Sequence, residues 1–165
     1  MSRSDPFTAI ARARGFTLIE LLVTLAILAL LATVTLPVAQ VEVQRHREEE
    51  LRRSLRELRQ AIDAYKLAYD QGRIAHAVGA SGYPPTLEVL VDGVEDVRDP
   101  DRHRIRFLRR IPEDPMQTGT EAERTSWGKR SYASDADDPQ EGDDIYDVYT
   151  RSTGVGLNGI AYRRW

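Results

Sequence analysis

One carboxylate in this chain sits where a carboxylate is expensive. Glu20 is the single charge in the apolar run Phe16 to Leu36. An ionised acid at the centre of a membrane-spanning helix costs roughly 2.5–3.5 kcal/mol on insertion scales. Glu20 therefore calls for a partner of opposite charge. The other groups that could do chemistry are less pointed. Asp135, Asp137, Asp138, Glu141, Asp143 and Asp144 crowd the stretch SDADDPQEGDD. Hard oxygen ligands at close spacing suit calcium, but the order D-x-[DN]-x-[DN]-G that makes such a reading specific is missing. A solvated acidic loop is the expectation. His46, His76 and His103 are scattered and suggest no Ser–His–Asp or paired-carboxylate arrangement, so each reads as a surface residue. Gly154 to Gly159 spells G-x-G-x-x-G, yet a dinucleotide site needs a following helix and an acidic residue about 20 positions on. Only Ile160 to Trp165 come after it, so a turn between strands is expected. The absence of cysteine removes thiol catalysis, zinc–thiolate sites and a disulfide staple. These residues do not describe an enzyme.

The elements that hold them can be read from periodicity. The apolar run is about 30 Å long as a helix, which matches the hydrocarbon thickness of a bilayer. It is too long for a secretory h-region and lacks an Ala-x-Ala cleavage site, so a membrane helix over 16–37 is expected. Arg3, Arg12 and Arg14 against Asp5 give the preceding segment a net charge of +2, which keeps that side cytoplasmic. Beyond Pro37, Leu51, Leu55, Leu58, Ile62, Tyr65 and Tyr69 recur at helical steps as one apolar stripe. Glu48–Arg52 and Glu49–Arg53 stand at favourable i, i+4 spacing on the solvated side. The two helical stretches read as one rod, kinked or loosened at Pro37 and stopped near Gly72. Its charges nearly cancel, so it offers no nucleic-acid surface.

The stripe needs a cover, which the rest of the chain supplies. Pro84-Pro85 opens a short helix over Thr86–Val91. Ile105, Phe107, Leu108 and Ile111 anchor a polar, turn-rich stretch, and Trp127 and Trp165 read as core or edge anchors. Strands are expected over Lys129–Ala133, Ile145–Arg151 and Ile160–Trp165. Alternation in the second places Tyr146, Val148 and Thr150 on one face. The fold class is α+β: a long amino-terminal helix, apolar then amphipathic, packed on a small antiparallel sheet. The organisation is a leader over 1–15, the apolar helix over 16–37, its amphipathic continuation over 38–72 and a globular head over 73–165.

RGFTLIELLVTLAILALLATVTLP is similar to the amino-terminal segment of type IV pilin-like proteins: a basic leader ending in Gly15, then Phe16 to Glu20, an apolar run and Pro37. The resemblance implies that a prepilin peptidase cuts between Gly15 and Phe16 and that Phe16 becomes N-methylated. It also implies subunit assembly through Phe16, Glu20 and Pro37. Loss of the leader with its charge of +2 would take the formal net charge from −3 to −5. GYPPTLEVLV, FLRRIPEDP, WGKRSY, IYDVYT and LNGIAYRRW resemble the head of major (G-type) pseudopilins of the type II secretion system. That likeness implies a homopolymeric periplasmic filament that drives protein export. Its partners would be a prepilin peptidase, minor pseudopilins, an inner-membrane platform protein and an assembly ATPase. It places a single-pass precursor in the bacterial inner membrane with the head periplasmic. Major pseudopilins typically bind calcium in the loop after the penultimate strand. Here that loop, STGVGLNG, has no carboxylate, so no cofactor is expected. The alternatives are a minor or type IV pilus subunit, or an anchored ligand-binding domain.

Overall fold

The computed structural model describes residues 15–77 and 79–165, with the side chains of 33–38 also outside the description. The leader up to residue 14 and the kink expected at Pro37 therefore lie outside the described residues. Helix α1 runs Leu18–Asp70. The chain divides into two units, one ending at Glu42 and the other running Val43–Trp165, and α1 contributes to both.

In the second unit, the stripe expected on α1 is the core. Leu51, Leu55, Leu58, Ile62 and Tyr65 are all buried. Ser54, Ala61 and Ala68 fill in beside them, as a face rather than a line of atoms requires. The helix stops where Gly72 adopts φ +69°, a conformation open to glycine at little expense. Gly72 N–H donates to the Tyr69 carbonyl (2.8 Å) and Arg73 N–H to the Ala68 carbonyl (2.9 Å), which is a Schellman closure with Ile74 turned into the core.

Beyond Gly72 the head is assembled from short pieces. Helix α2 spans Glu88–Asp92, two residues later than expected at its start. The Pro84 carbonyl instead accepts the Ile145 N–H (2.8 Å), holding that stretch to the approach of a strand. Strands β1 (Val94–Glu95) and β2 (Arg104–Ile105) pair antiparallel, Val94 opposite Ile105. In this ribbon, strand β2 lies in the stretch expected to be polar and turn-rich, and β1 lies just before it. Two-residue strands show no period for a sequence argument to find. Arg73 fastens it to the end of α1 through Asp96 (2.6 Å), and that hydrogen-bonded guanidinium holds the Asp96 carboxyl below the usual carboxylate range. Helix α3 (Glu121–Arg124) begins with a capping box formed by Thr120 and Glu123. Strands β3 (Gly128–Arg130) and β4 (Asp147–Tyr149) pair antiparallel, Lys129 opposite Val148. Val148 and Thr150 point into the core together, and Tyr146 lies outside, packed with Tyr83 and Tyr132. Trp127 is 1% exposed and donates its indole N–H to the Pro112 carbonyl (2.9 Å).

The expected third strand is a correction. Val155 bridges Ala161, and the chain then closes into a 3-10 turn over Tyr162–Arg164. A strand would send Tyr162 and Trp165, three positions apart, to opposite faces, whereas a 3-10 turn stacks i over i+3. Their rings meet edge to face at 5.1 Å, and Tyr162 is buried. The glycines of the preceding turn serve this packing. A Cβ on Gly156 would stand 2.4 Å from the Trp165 ring. The architecture is α+β, as the sequence predicts, but the sheet is two separate two-stranded ribbons.

Candidate processing and assembly site

The segment Gly15 to Glu20 is a helix start. Gly15, Phe16 and Thr17 precede α1 in irregular backbone and are exposed, and an atom added at Gly15 Cα would meet nothing within 4 Å. The Gly15–Phe16 peptide bond is therefore exposed and lies outside the helix. Thr17 caps the helix. Its carbonyl accepts the Leu21 N–H (3.1 Å) and its Oγ1 accepts the Glu20 N–H (3.3 Å). Substituting such a cap by Ala typically costs about 0.5–2 kcal/mol. Thr17 falls within the run Phe16 to Glu20 singled out by sequence but is given no capping role there, although T-x-x-E before an apolar run is the spacing of a capping box.

Glu20 thus occupies the first turn, where the helix dipole favours its carboxylate by about 0.3–1 kcal/mol. That is smaller than the roughly 2.5–3.5 kcal/mol of mid-membrane burial, so capping and dipole alone do not settle Glu20 in hydrocarbon. Phe16, Leu18, Ile19, Leu21, Leu22, Leu25, Ile27, Leu28, Leu30 and Leu31 are each more than half exposed. This apolar surface covers all sides of the helix rather than one face. The Thr24 hydroxyl closes on the Leu21 carbonyl (2.9 Å) and leaves no free donor there. Among the described residues no helix is long and apolar enough to cross a membrane. The apolar run of the sequence continues through residues 33–36, whose side chains lie outside the description.

Residues 10–36 match the family model of the prokaryotic N-terminal methylation motif. No curated protein and no solved structure matches the chain. The motif is that of a type IV pilin-like leader, so it implies processing by a prepilin peptidase, a membrane-anchored precursor and pilus-type assembly. It belongs to structural pilin-type proteins rather than to enzymes. Gly15, Phe16 and Glu20 fall within six consecutive residues at the start of α1, while Pro37 is 17 positions beyond Glu20 and has no described side chain.

The remaining sequence candidates are spread over the head, each held by its own neighbours. The acidic loop between β3 and β4 is organised by serines. Ser131 Oγ donates to Asp144 (2.8 Å), and Ser134 Oγ accepts the Gln140 N–H (2.7 Å). His76 bonds the Tyr69 carbonyl (2.7 Å) and stacks on its ring (4.0 Å). His103 pairs with Asp99 (2.6 Å). Asp99, Asp101 and His103 bring ligand atoms within 4.8 Å of each other, away from the loop rich in aspartate. Asp99 is already occupied by the N–H of Asp101, which with His103 lowers its carboxyl pKa. The Gly-rich turn is fastened to α1. Its Leu157 N–H donates to Glu48 (2.8 Å), a buried carboxylate that also accepts from Tyr162 Oη (3.0 Å) and Gln44 (3.2 Å). Glu48 therefore does not pair with Arg52 as its spacing suggests. Arg52 lies over the Trp165 ring, 4.2 Å from the centroid.

Proposed function

We propose that this chain is the major structural subunit of a type II secretion pseudopilus, made as a membrane-anchored precursor and assembled into a periplasmic filament that drives protein export. The observation that carries the reading is the methylation motif over 10–36, lying on an exposed bond immediately before a capped apolar helix. The head lends support beyond the motif. GYPPTLEVLV, FLRRIPEDP, WGKRSY, IYDVYT and LNGIAYRRW contribute Leu87, Leu90, Leu108, Trp127, Val148 and Tyr162 to one core around α1. Segments scattered along the sequence thus act as one packed unit. The net charge of +2 before Gly15 sets the orientation, with the head across the inner membrane.

In this reading cleavage after Gly15 leaves a charged amine on Phe16, methylated in turn. The amine of one subunit meets the Glu20 carboxylate of the next, cancelling two charges in an apolar surrounding and fixing the axial register. Pro37 loosens the helix between its apolar and amphipathic parts. Platform protein, ATPase and minor pseudopilins complete the machinery, and the head needs no cofactor for this mechanical role.

The test is mass spectrometry of the native protein, which is expected to show a methylated amino-terminal Phe16. Gly15→Leu is expected to leave the leader attached, because the peptidase site admits only a small residue. A mature chain that still begins at Met1 refutes the assignment.

A further inference from the structure

The head presents two grooves of opposite charge, one on each flank of α1. At about 100° per residue, Arg52, Arg56 and Arg59 lie roughly 100° to one side of the buried leucine stripe. Glu50, Arg53 and Glu57 lie roughly 140° to the other side by the same period. The first flank opens on a groove of about 310 Å³ lined by Arg52, Arg56, Arg59 and Arg164, with Leu55, Ile160 and Trp165 as its apolar wall. Four arginine side chains and no Asp or Glu side chain line it, which makes the groove positive even with Arg59 paired to Asp147. The second opens on a groove of about 710 Å³ lined by Glu50, Glu57, Glu88, Asp92, Glu113 and Glu121. Arg53 and Arg110 also line it, so six carboxylates against two arginines leave −4.

The head itself neutralises little of this. Arg59 is held by Asp147 (2.7 Å) and by the Trp165 backbone oxygen (2.7 Å), and Arg52 lies on the Trp165 ring. Glu113 pairs with Arg124 (2.6 Å). Among the described residues, Arg56, Arg164, Glu50, Glu57, Glu88, Asp92 and Glu121 have no opposite charge within 4.0 Å. Arg52 and Arg56 also stand at i, i+4, a like-charge spacing that disfavours a helix unless another molecule neutralises it.

We propose that these flanks are the two halves of one contact between copies of this chain: the arginine groove of one subunit receives the carboxylate flank of the next. Both surfaces belong to one molecule, are opposite in sign and lie on different sides of one helix. A second copy therefore satisfies both, and each addition leaves one of each flank free. Such a heterologous contact propagates instead of closing. Being exposed, it weakens as salt rises. The inference rests on the reading of the chain as a filament subunit, to which it adds a lateral contact between heads.

The test uses the full-length chain, which contains no cysteine to confuse a crosslink, in its native membrane. Arg56→Cys and Glu88→Cys are made singly and together and treated with a short bifunctional maleimide. The double variant is expected to give a ladder of multimers and each single variant only monomer. Dimers from Arg56→Cys alone would mean an isologous contact and overturn the proposal, as would a ladder replaced by adducts with another protein. Arg56→Glu and Glu88→Arg provide a second reading. Each is expected to lower the yield of sheared filaments several-fold, and their combination to recover most of it. No recovery also overturns the proposal. The amino terminus is determined on the same material. A processed, filament-forming chain without the ladder sinks this contact alone. A chain still starting at Met1 sinks the filament reading, and the ladder then decides the contact by itself.

Discussion

Glu48 fastens the segment from Val155 to Trp165 onto α1 through a single oxygen. Glu48 Oε1 accepts from the Leu157 N–H at 2.8 Å, Tyr162 Oη at 3.0 Å and Gln44 Nε2 at 3.2 Å, and the residue is 4% exposed. Glu48→Ala removes the shared acceptor. Gln44 reaches solvent, but the Tyr162 hydroxyl is left in a buried place and the Leu157 N–H loses its partner. Hydrogen bonds to a charged group are worth about 1.5–3 kcal/mol, and an unsatisfied buried group costs about 1–3 kcal/mol. These overlap rather than add, so the expected loss is about 2–4 kcal/mol. For a chain of this size that lowers Tm by roughly 6–12 °C at about 3 °C per kcal/mol. Glu48→Gln keeps an acceptor oxygen and loses the charge, for about 1 kcal/mol. The assay is thermal unfolding of the full-length protein in detergent, followed by tryptophan fluorescence, with hydrogen exchange at the Leu157 amide as the local probe. Exchange there should rise in Glu48→Ala well before global melting. If Glu48→Ala melts within about 0.5 kcal/mol of the parent and Leu157 stays protected, the carboxylate is not what holds the turn.

Two other carboxylates give outcomes of their own. Glu20→Val should leave insertion and leader removal intact, since the peptidase reads Gly15, yet abolish or badly impair filament formation and secretion; parental yields would refute the pairing with the Phe16 amine. Asp114 is fully buried, and burial raises its carboxyl above the ordinary 3.8, with hydrogen bonds from Thr150 Oγ1 and the Met116 N–H opposing the shift. Because the folded-state value is raised, its contribution is complete below the unfolded value and is lost as pH rises through the folded one. Asp114→Asn should therefore gain stability relative to the parent on going from about pH 4 to about pH 7, measured by urea unfolding at each pH. A constant difference between the two proteins would show that Asp114 does not titrate in that range.

Much of the candidate site is legible in local order. Gly15, Phe16 and Glu20 stand in a fixed run at the head of a long apolar stretch, and their relation is set by their closeness along the chain at the start of one helix. Thr17 belongs to the same local grammar, since T-x-x-E is visible without any structure. The stripe from Leu51 to Tyr65 is equally plain, because an α-helix turns period directly into a face. Pro37 and the leader rest on the sequence alone, as neither has a described side chain.

The sequence by itself determined the helix, its division into apolar and amphipathic parts, the stop at Gly72 and the α+β class, because each depends on residues within a few turns of one another. Tertiary structure decided whatever joins distant positions. Glu48 meets Leu157 across 109 positions and Asp114 meets Thr150 across 36, pairings that spacing along the chain does not encode. The same distance hid the 3-10 turn at Tyr162, where packing against Trp165 overrode a strand-like pattern. It also hid the two charged flanks. On the sequence the rod's charges nearly cancel; the helical period sets Arg52, Arg56 and Arg59 apart from Glu50 and Glu57, but only the folding of α2, α3 and the Asn158–Trp165 segment against α1 adds Glu88, Asp92 and Glu121 to one flank and Arg164 to the other. Local periodicity specifies which face is buried; which side chains border that face is fixed by what the rest of the chain lays against it.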